Sequence, residues 1–289
     1  KSKRLKKEKV LFKEGNPIPQ PDKATLDAEK NETKPYLVFS IKDEDGNLIR
    51  NIYKKPSTGI NRINWDMRYK SSRPIRLSND KFDPLKSGGT SLRALPGKYT
   101  VTMSMFYNGE QKELAGPVEF NTVVLNNRTL PAPSDKDALT FYKKVTELYR
   151  VMSGTMRYRD ELAEKTSYIQ QALQSVDNAS VSLKNEMHQI KQELDNIEFK
   201  FDGTAAKASS EEVPPESVPL SDRLNAIVWS AWQSTSAPTS TQKNNYNILM
   251  EEFRPVLIEL NNINKKLVEM EQELDKLKAP HTPGRVPGF

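Results

Sequence analysis

"YNILMEEFRPVLIELNNINKKLVEMEQELDKL", Tyr246 to Leu277, decides the fold. Its apolar residues, Tyr246, Leu249, Phe253, Val256, Leu260, Ile263, Leu267, Met270, Leu274 and Leu277, alternate steps of three and four without a miss. That spacing is the narrow seam of a coiled coil. Upstream, Phe141, Val145, Leu148, Met152, Leu162, Ile169, Leu173 and Val176 follow the same frame, which also contains Thr155, Arg159 and Thr166, so the centre of that seam is polar. Leu183, Met187, Ile190, Leu194, Ile197 and Phe201 give a third segment, and Leu220, Leu224, Ile227 and Ala231 a short fourth. At 1.5 Å per residue the two long helices each reach roughly 60 Å, and the expectation is an antiparallel bundle with the shorter pair laid alongside.

Ahead of the helices the period changes to that of strands. "YLVFSI" (Tyr36–Ile41), "LIRNIY" (Leu48–Tyr53), "GINRINWDM" (Gly59–Met67), "KYTVTMSMFY" (Lys98–Tyr107) and "VEFNTVVL" (Val118–Leu125) are short apolar runs. "DEDGN" (Asp43–Asn47) and "YNGE" (Tyr107–Glu110) supply the Asp-Gly and Asn-Gly chemistry of tight hairpins. These signals predict an antiparallel β-sandwich. The fold class is therefore α+β as separate domains. An extended basic linker arm is expected over 1–35, the sandwich over 36–126, the bundle over 134–278 with a flexible loop near 203–219, and an extended tail over 279–289.

Composition narrows the function. The chain of 289 residues suits two domains. Its net charge is +6, and Lys1–Val10 alone holds six basic residues against one acid, so the remainder is close to neutral. That run reads as a solvated segment, and no basic face with interleaved aromatics follows, so nucleic acid is not an expected partner. No cysteine is present, which removes disulfides and thiolate metal sites together. No run of about eighteen apolar residues occurs, so no transmembrane segment is expected. The sequence begins with Lys and carries no apolar signal segment; it reads as a piece of something larger.

Candidate chemistry is sparse. The two histidines, His188 and His281, stand on a helix and in the tail, which argues against a His-based metal site or a Ser-His-Asp triad. "SGGTS" (Ser87–Ser91) lacks the phosphate-loop pattern. Asp66 is the best carboxylate candidate, but Asp43 and Asp45 lie in a turn that wants Asp for backbone hydrogen bonds. No catalytic, cofactor-binding or metal residue is assigned, and no cofactor is expected. Trp65 follows Ile60 and Ile63 and reads as a core anchor. Trp229, Trp232 and Tyr246 cluster near "APTSTQ" as a bundle cap or an interaction hot spot. Trp65, Tyr69, Trp229 and Trp232 are the candidate partner contacts, with the arm Lys1–Pro21.

"GNPIPQP", "EKNETKPYLVFSIKDEDGNLIRNI", "GINRINWDMRY", "ALPGKYTVTM", "PLSDRLNAI", "APTSTQ" and "APHTPGRVPGF" occur in that order across the chain. Together they resemble the C-terminal region of Bacteroidetes exported proteins with sortilin-like, Asp-box β-propellers, often labelled glycosyl hydrolases. The first hairpin and "GINRINWD" are also similar to the immunoglobulin-like domain of the flagellar hook-capping protein. The resemblance implies a propeller N-terminal to this chain, an immunoglobulin-like antiparallel β-sandwich followed by a helical bundle within it, and export to the periplasm or cell surface, in association with the outer membrane. It implies as partners that propeller and other envelope or outer-membrane proteins. It transfers no catalytic residue. The expected function is a non-catalytic accessory and docking region; the rival is a set of supporting domains for a propeller glycoside hydrolase or peptide-active enzyme.

Overall fold

The computed structural model describes residues 2–76, 82–86, 89–125, 132–205, 211 and 216–287. The fold is α+β: a four-stranded antiparallel sheet and a two-stranded sheet, followed by long helices. The chain divides into two compact units. One comprises Lys1–Met67, Leu77–Ser87 and Pro96–Val123; the other Arg68–Arg76, Gly88–Leu95 and Val124–Phe289. Thus the segments 68–76 and 88–95, although inside the stretch 36–126, group with the helices.

The strands are β1 (Tyr36–Asp43), β2 (Leu48–Lys54), β3 (Arg68–Lys70), β4 (Thr90–Arg93), β5 (Gly97–Tyr107) and β6 (Glu110–Thr122). In the first unit the order is β2-β1-β5-β6. Both expected turns close hairpins. Asp43 accepts from the backbone N–H groups of Gly46 and Asn47, through its carbonyl and carboxylate respectively. Asn108 and Gly109 both take positive φ, as a two-residue hairpin loop requires. Register pairs Ile41 with Val101 and Asp43 with Tyr99, which places buried Ile41 and Tyr99 on one face. Trp65 closes that face, edge-on to Tyr99 at 5.0 Å and to Phe120 at 6.0 Å. On the other face Tyr36 stacks on Phe106 at 5.0 Å and meets Tyr53 edge-on.

Two expectations for this unit need correction. Gly59–Met67 is not a strand: regular structure begins at Arg68, and Ile60 is fully exposed. Ile60 and Ile63 are spaced by three, which the two-residue alternation of a strand cannot place on one face. The arm 1–35 is not extended throughout, because α1 (Ser2–Lys13) and α2 (Lys23–Asn31) form in it, with the Pro-rich stretch between them irregular. The cause is non-local. Arg4 donates from Nε and Nη2 to both carboxylate oxygens of Glu29 at 2.6 and 2.8 Å, and from Nη1 to Glu8. This two-point guanidinium contact holds the Glu29 carboxyl at about 2, well below its usual range.

The second unit contains α3 (Asp135–Gln174), α4 (Val181–Asp202), α5 (Leu220–Gln233) and α6 (Ser240–Lys276). Three of the four starts are capped by side chains: Ser134 and Ser180 accept from the third residue beyond, and Thr239 forms a reciprocal capping box with Gln242. Pro219 precedes α5 without a side-chain cap. Pro255 lies on the exposed side of α6, where the carbonyl it leaves unbonded can meet water.

The pairings reveal an arrangement that differs from the expected one. Phe141 meets Tyr246 and Lys165 meets Glu271, so the two long helices α3 and α6 run parallel to each other. Glu193 with Lys266 and Lys200 with Glu259 make α4 antiparallel to α6. Ser221 reaches Met156, and Trp232 reaches Thr146, so α5 runs antiparallel to α3. Helices α4 and α5 therefore lie end to end as one interrupted rod. Their 22 and 14 residues, roughly 54 Å of helix, match the roughly 60 and 55 Å of the 40-residue α3 and 37-residue α6. The middle of each seam is buried, with Val145, Ile190, Ile197, Leu249, Leu260 and Ile263 at 0% exposure, while Phe141, Leu183, Tyr246 and Leu277 near the helix ends are partly buried. The loop expected near 203–219 falls largely outside the described residues.

The tail expected to be extended over 279–289 instead turns back. Arg285 donates from Nη2 to the carbonyls of Ala279 and Pro280 at 2.9 and 2.7 Å, and pairs with Asp275. A cation thereby sits at the C-terminal end of α6, where the helix dipole and free carbonyls favour it.

Leu260→Ala is expected to cost about 2–5 kcal/mol through cavity formation, whereas Glu259→Ala should cost about 1 kcal/mol or less; urea unfolding measures both. The Arg4–Glu29 link has a depressed folded-state carboxyl pKa, so its contribution is complete above about 4.5 and is lost as pH falls through about 2. Amide exchange in Ser2–Lys13 should accelerate over that window relative to the rest of the chain, beyond the intrinsic pH effect.

Candidate functional site

The four candidate contact residues have different surroundings. Trp65 belongs to the sheet unit, in the aromatic triad described above. Tyr69, Trp229 and Trp232 belong to the helical unit. There the β3–β4 sheet lies against the helices: Leu92 joins their core, and Tyr69 packs against it. Lys143 of α3 places its Nζ 5.3 Å from the Tyr69 ring centroid.

Trp232 is the centre of this junction, with 8% exposure. Its ring meets Tyr149 edge-on at 5.1 Å, its Nε1 donates to Thr146 Oγ1 at 3.3 Å, and Arg73 lies 5.8 Å from its centroid. Its carbonyl accepts from Arg68 Nη1 at 3.0 Å, and the same nitrogen donates to Ser91 O at 2.8 Å. Arg68 of β3 thus ties strand β4 to the C-terminal end of α5, where free carbonyls need donors. Nearby, Tyr142 donates to Ser236 O at 2.8 Å, and burial pushes its phenol up, so it stays a neutral donor. Trp232 is consequently a bundle cap. Three residues away Trp229 is 71% exposed, on the opposite side of α5 from the buried Leu224, Ile227, Val228 and Ala231.

The carboxylate candidates are engaged in structure. Asp66 accepts two bonds from Arg50 Nη1 at 2.8 and 3.0 Å. Asp43 caps its turn, with Asn47 donating to both of its carboxylate oxygens. His188 meets Gln192 one turn along its own helix. Among the described residues no group of three His, Asp or Glu is arranged to hold a metal ion. An open recess of about 520 Å³ lies by Thr25, Glu29, Glu32 and Asn108, and another of about 330 Å³ by Asn185, Glu186, Gln189 and Lys266. Neither holds Asp66 or any of the four aromatic candidates. The loop Ser87–Ser91 lies partly outside the described residues.

A second polar centre sits where α4 ends and α5 begins. Arg159 donates to Asp202 at 2.7 Å and to Asp160 at 2.8 Å, and its guanidinium carbon lies 5.8 Å from the centroid of buried Phe201. Ser221 Oγ donates to the other oxygen of Asp202 at 3.1 Å. Burial opposes the charge on Arg159, but the bonds to Asp202 and Asp160 outweigh it and its pKa is raised. The polar centre of the α3 seam was visible in the sequence; its partner was not. The flanking Thr155 and Thr166 satisfy their buried hydroxyls on the carbonyls of Val151 and Leu162, one turn back.

No protein-family model, curated protein or solved structure matches the chain.

Trp232→Ala should destabilise the helical unit by about 3–5 kcal/mol, and Trp229→Ala by no more than about 0.5 kcal/mol. Arg159→Ala should cost about 1–3 kcal/mol, because the Asp202 side is half exposed and part of the interaction is screened. Urea unfolding of the three variants gives the ranking.

Proposed function

We propose that the chain is a non-catalytic docking region of a larger exported protein, presenting its helical unit to a partner in a cell-envelope or cell-surface assembly. In this reading the sheet is an immunoglobulin-like module and the helices are a bundle with coiled-coil seams. The resemblance to the C-terminal regions of Bacteroidetes sortilin-like propeller proteins supplies the expected neighbour, an N-terminal propeller of the same parent. It also supplies the expected place, the periplasm or the outer-membrane surface.

The observation that carries the docking reading is the Trp229 ring, 71% exposed on a helix whose other face is locked into the core. A large indole in water costs solvation free energy and contributes nothing to folding here. On a rigid helix it needs no ordering when a partner covers it, which is the property of an interface anchor. The other aromatics considered are already committed: Trp65 to the sheet and Trp232 to the end of the bundle.

The parent protein, purified from its native envelope, should bring down a stoichiometric companion that Trp229→Ala releases, with the stability of the chain unchanged. Retention of every companion by the Trp229→Ala protein would remove the indole from the interface. Turnover of a sugar or peptide substrate by this purified chain alone would overturn the non-catalytic reading.

A further inference from the structure

We propose that α1 is a membrane-surface anchor: a basic helix that lies on an anionic lipid bilayer with Leu5 and Phe12 entering the interface. This proposal stands on α1 alone and does not depend on the reading of Trp229.

Helix α1 has a partly shielded side and an exposed remainder, in which Val10 is 52% exposed on a different side from Leu5 and Phe12. Arg4, Glu8 and Leu11, spaced by four and three, are the partly shielded side, and Arg4 fastens it to Glu29 of α2. Leu5 and Phe12, seven residues and so two turns apart, share a second side at 41% and 75% exposure. Lys9 falls between them on that side, and Lys6 and Lys13 follow each of them directly; all three are exposed. The helix carries six basic residues and one acid, and that acid, Glu8, is the one bonded to Arg4. Within its own unit, among the described residues, α1 packs no apolar side chain into a buried core. Twelve residues are too few for a helix to hold in water without support. The Arg4–Glu29 link supplies part of that support and leaves Leu5, Phe12 and the lysines beside them free for a partner.

The residue types point to lipid. The outward cations are all lysine, and the single arginine is turned inward to Glu29. Protein interfaces enrich arginine and deplete lysine, because a compact, strongly hydrated ammonium is costly to bury. A bilayer surface asks for no such burial: lysines lay their stems along the acyl boundary and keep their charge among the headgroups. Nucleic acid would satisfy the lysines through phosphate contacts but gives Leu5 and Phe12 no apolar medium to enter. An anionic interface accommodates both, and the Arg4–Glu29 link keeps the correct side of α1 turned outward.

The test is flotation of the full chain with vesicles of phosphatidylcholine containing about one quarter phosphatidylglycerol, against pure phosphatidylcholine vesicles. Binding is expected only to the anionic vesicles, falling at least about tenfold between about 50 and 300 mM salt. The double variant Leu5→Ser/Phe12→Ser, which keeps every charge, is expected to lose about tenfold or more at fixed salt, and its unfolding midpoint should match the parent. In a Phe12→Trp protein, the added emission should shift to the blue on anionic vesicles. Absence of flotation, equal flotation on neutral vesicles, or undiminished binding by the Leu5→Ser/Phe12→Ser protein would each overturn the proposal. Tight binding to a duplex oligonucleotide that is unaffected by Leu5→Ser/Phe12→Ser, with weak flotation, would assign the helix to nucleic acid instead.

Discussion

The layout of the helical unit turns on the junction where bonds join Arg159 of α3 to Asp202 at the end of α4 and Asp202 to Ser221 at the start of α5. Two parallel helices of about 55–60 Å leave a long apolar groove, which a third rod of the same length must fill. The chain supplies that rod in two pieces separated by the stretch from Gly203 to Pro219. At the break, α4 has carbonyls without helical donors and α5 has N–H groups without helical acceptors. The carboxylate of Asp202 and the guanidinium of Arg159 sit in this interruption, and Phe201 beneath them stays fully buried. This polar cluster bridges the gap between two short helices whose buried seams on either side hold them in line.

That arrangement accounts for the polar centre of the α3 seam. An uninterrupted partner rod would present apolar knobs along its whole length, and Leu or Ile at position 159 would serve. Opposite a break, an apolar side chain would face the free ends of two helices. Arginine has the length to reach over Phe201 and the fork to engage a carboxylate, and enough of Asp202 stays hydrated to limit the desolvation cost. The placement of charge follows from the geometry of the gap.

The heptad frames and the cap chemistry made four helices legible close to their observed limits, because a seam buried along its length imposes its period on the sequence. Asn108-Gly109 and the Asp43 turn were legible for a similar local reason: positive φ and a side-chain acceptor are demanded at fixed positions. The mutual direction of the long helices was not, since a seam shows which residues are buried and not which helix covers them. The grouping of Arg68–Arg76 and Gly88–Leu95 with the helices was equally hidden. A three-residue strand alternates in the same way whichever core it serves, and the bond from Arg68 to the Trp232 carbonyl spans 164 positions. Helix α1 escaped notice because adjacent lysines repel locally, while the stabilising Glu29 lies 25 residues away.

"WDMRY" shows how a short motif can mislead when its residues are read as one site. Trp65 and Asp66 belong to the sheet unit, one closing an aromatic triad and the other bound to Arg50. After Met67, which takes a positive φ, Arg68 and Tyr69 belong to the helical unit, bonded to the end of α5 and capped by Lys143. The chain passes from one unit to the other within this pentapeptide, so each of its conspicuous side chains is consumed by a different packing task. An aromatic beside a carboxylate acquires a joint chemical meaning only if both face the same space. Trp229 is under no such competing demand. Its helix is held by other residues, and its exposure is a property that folding does not require.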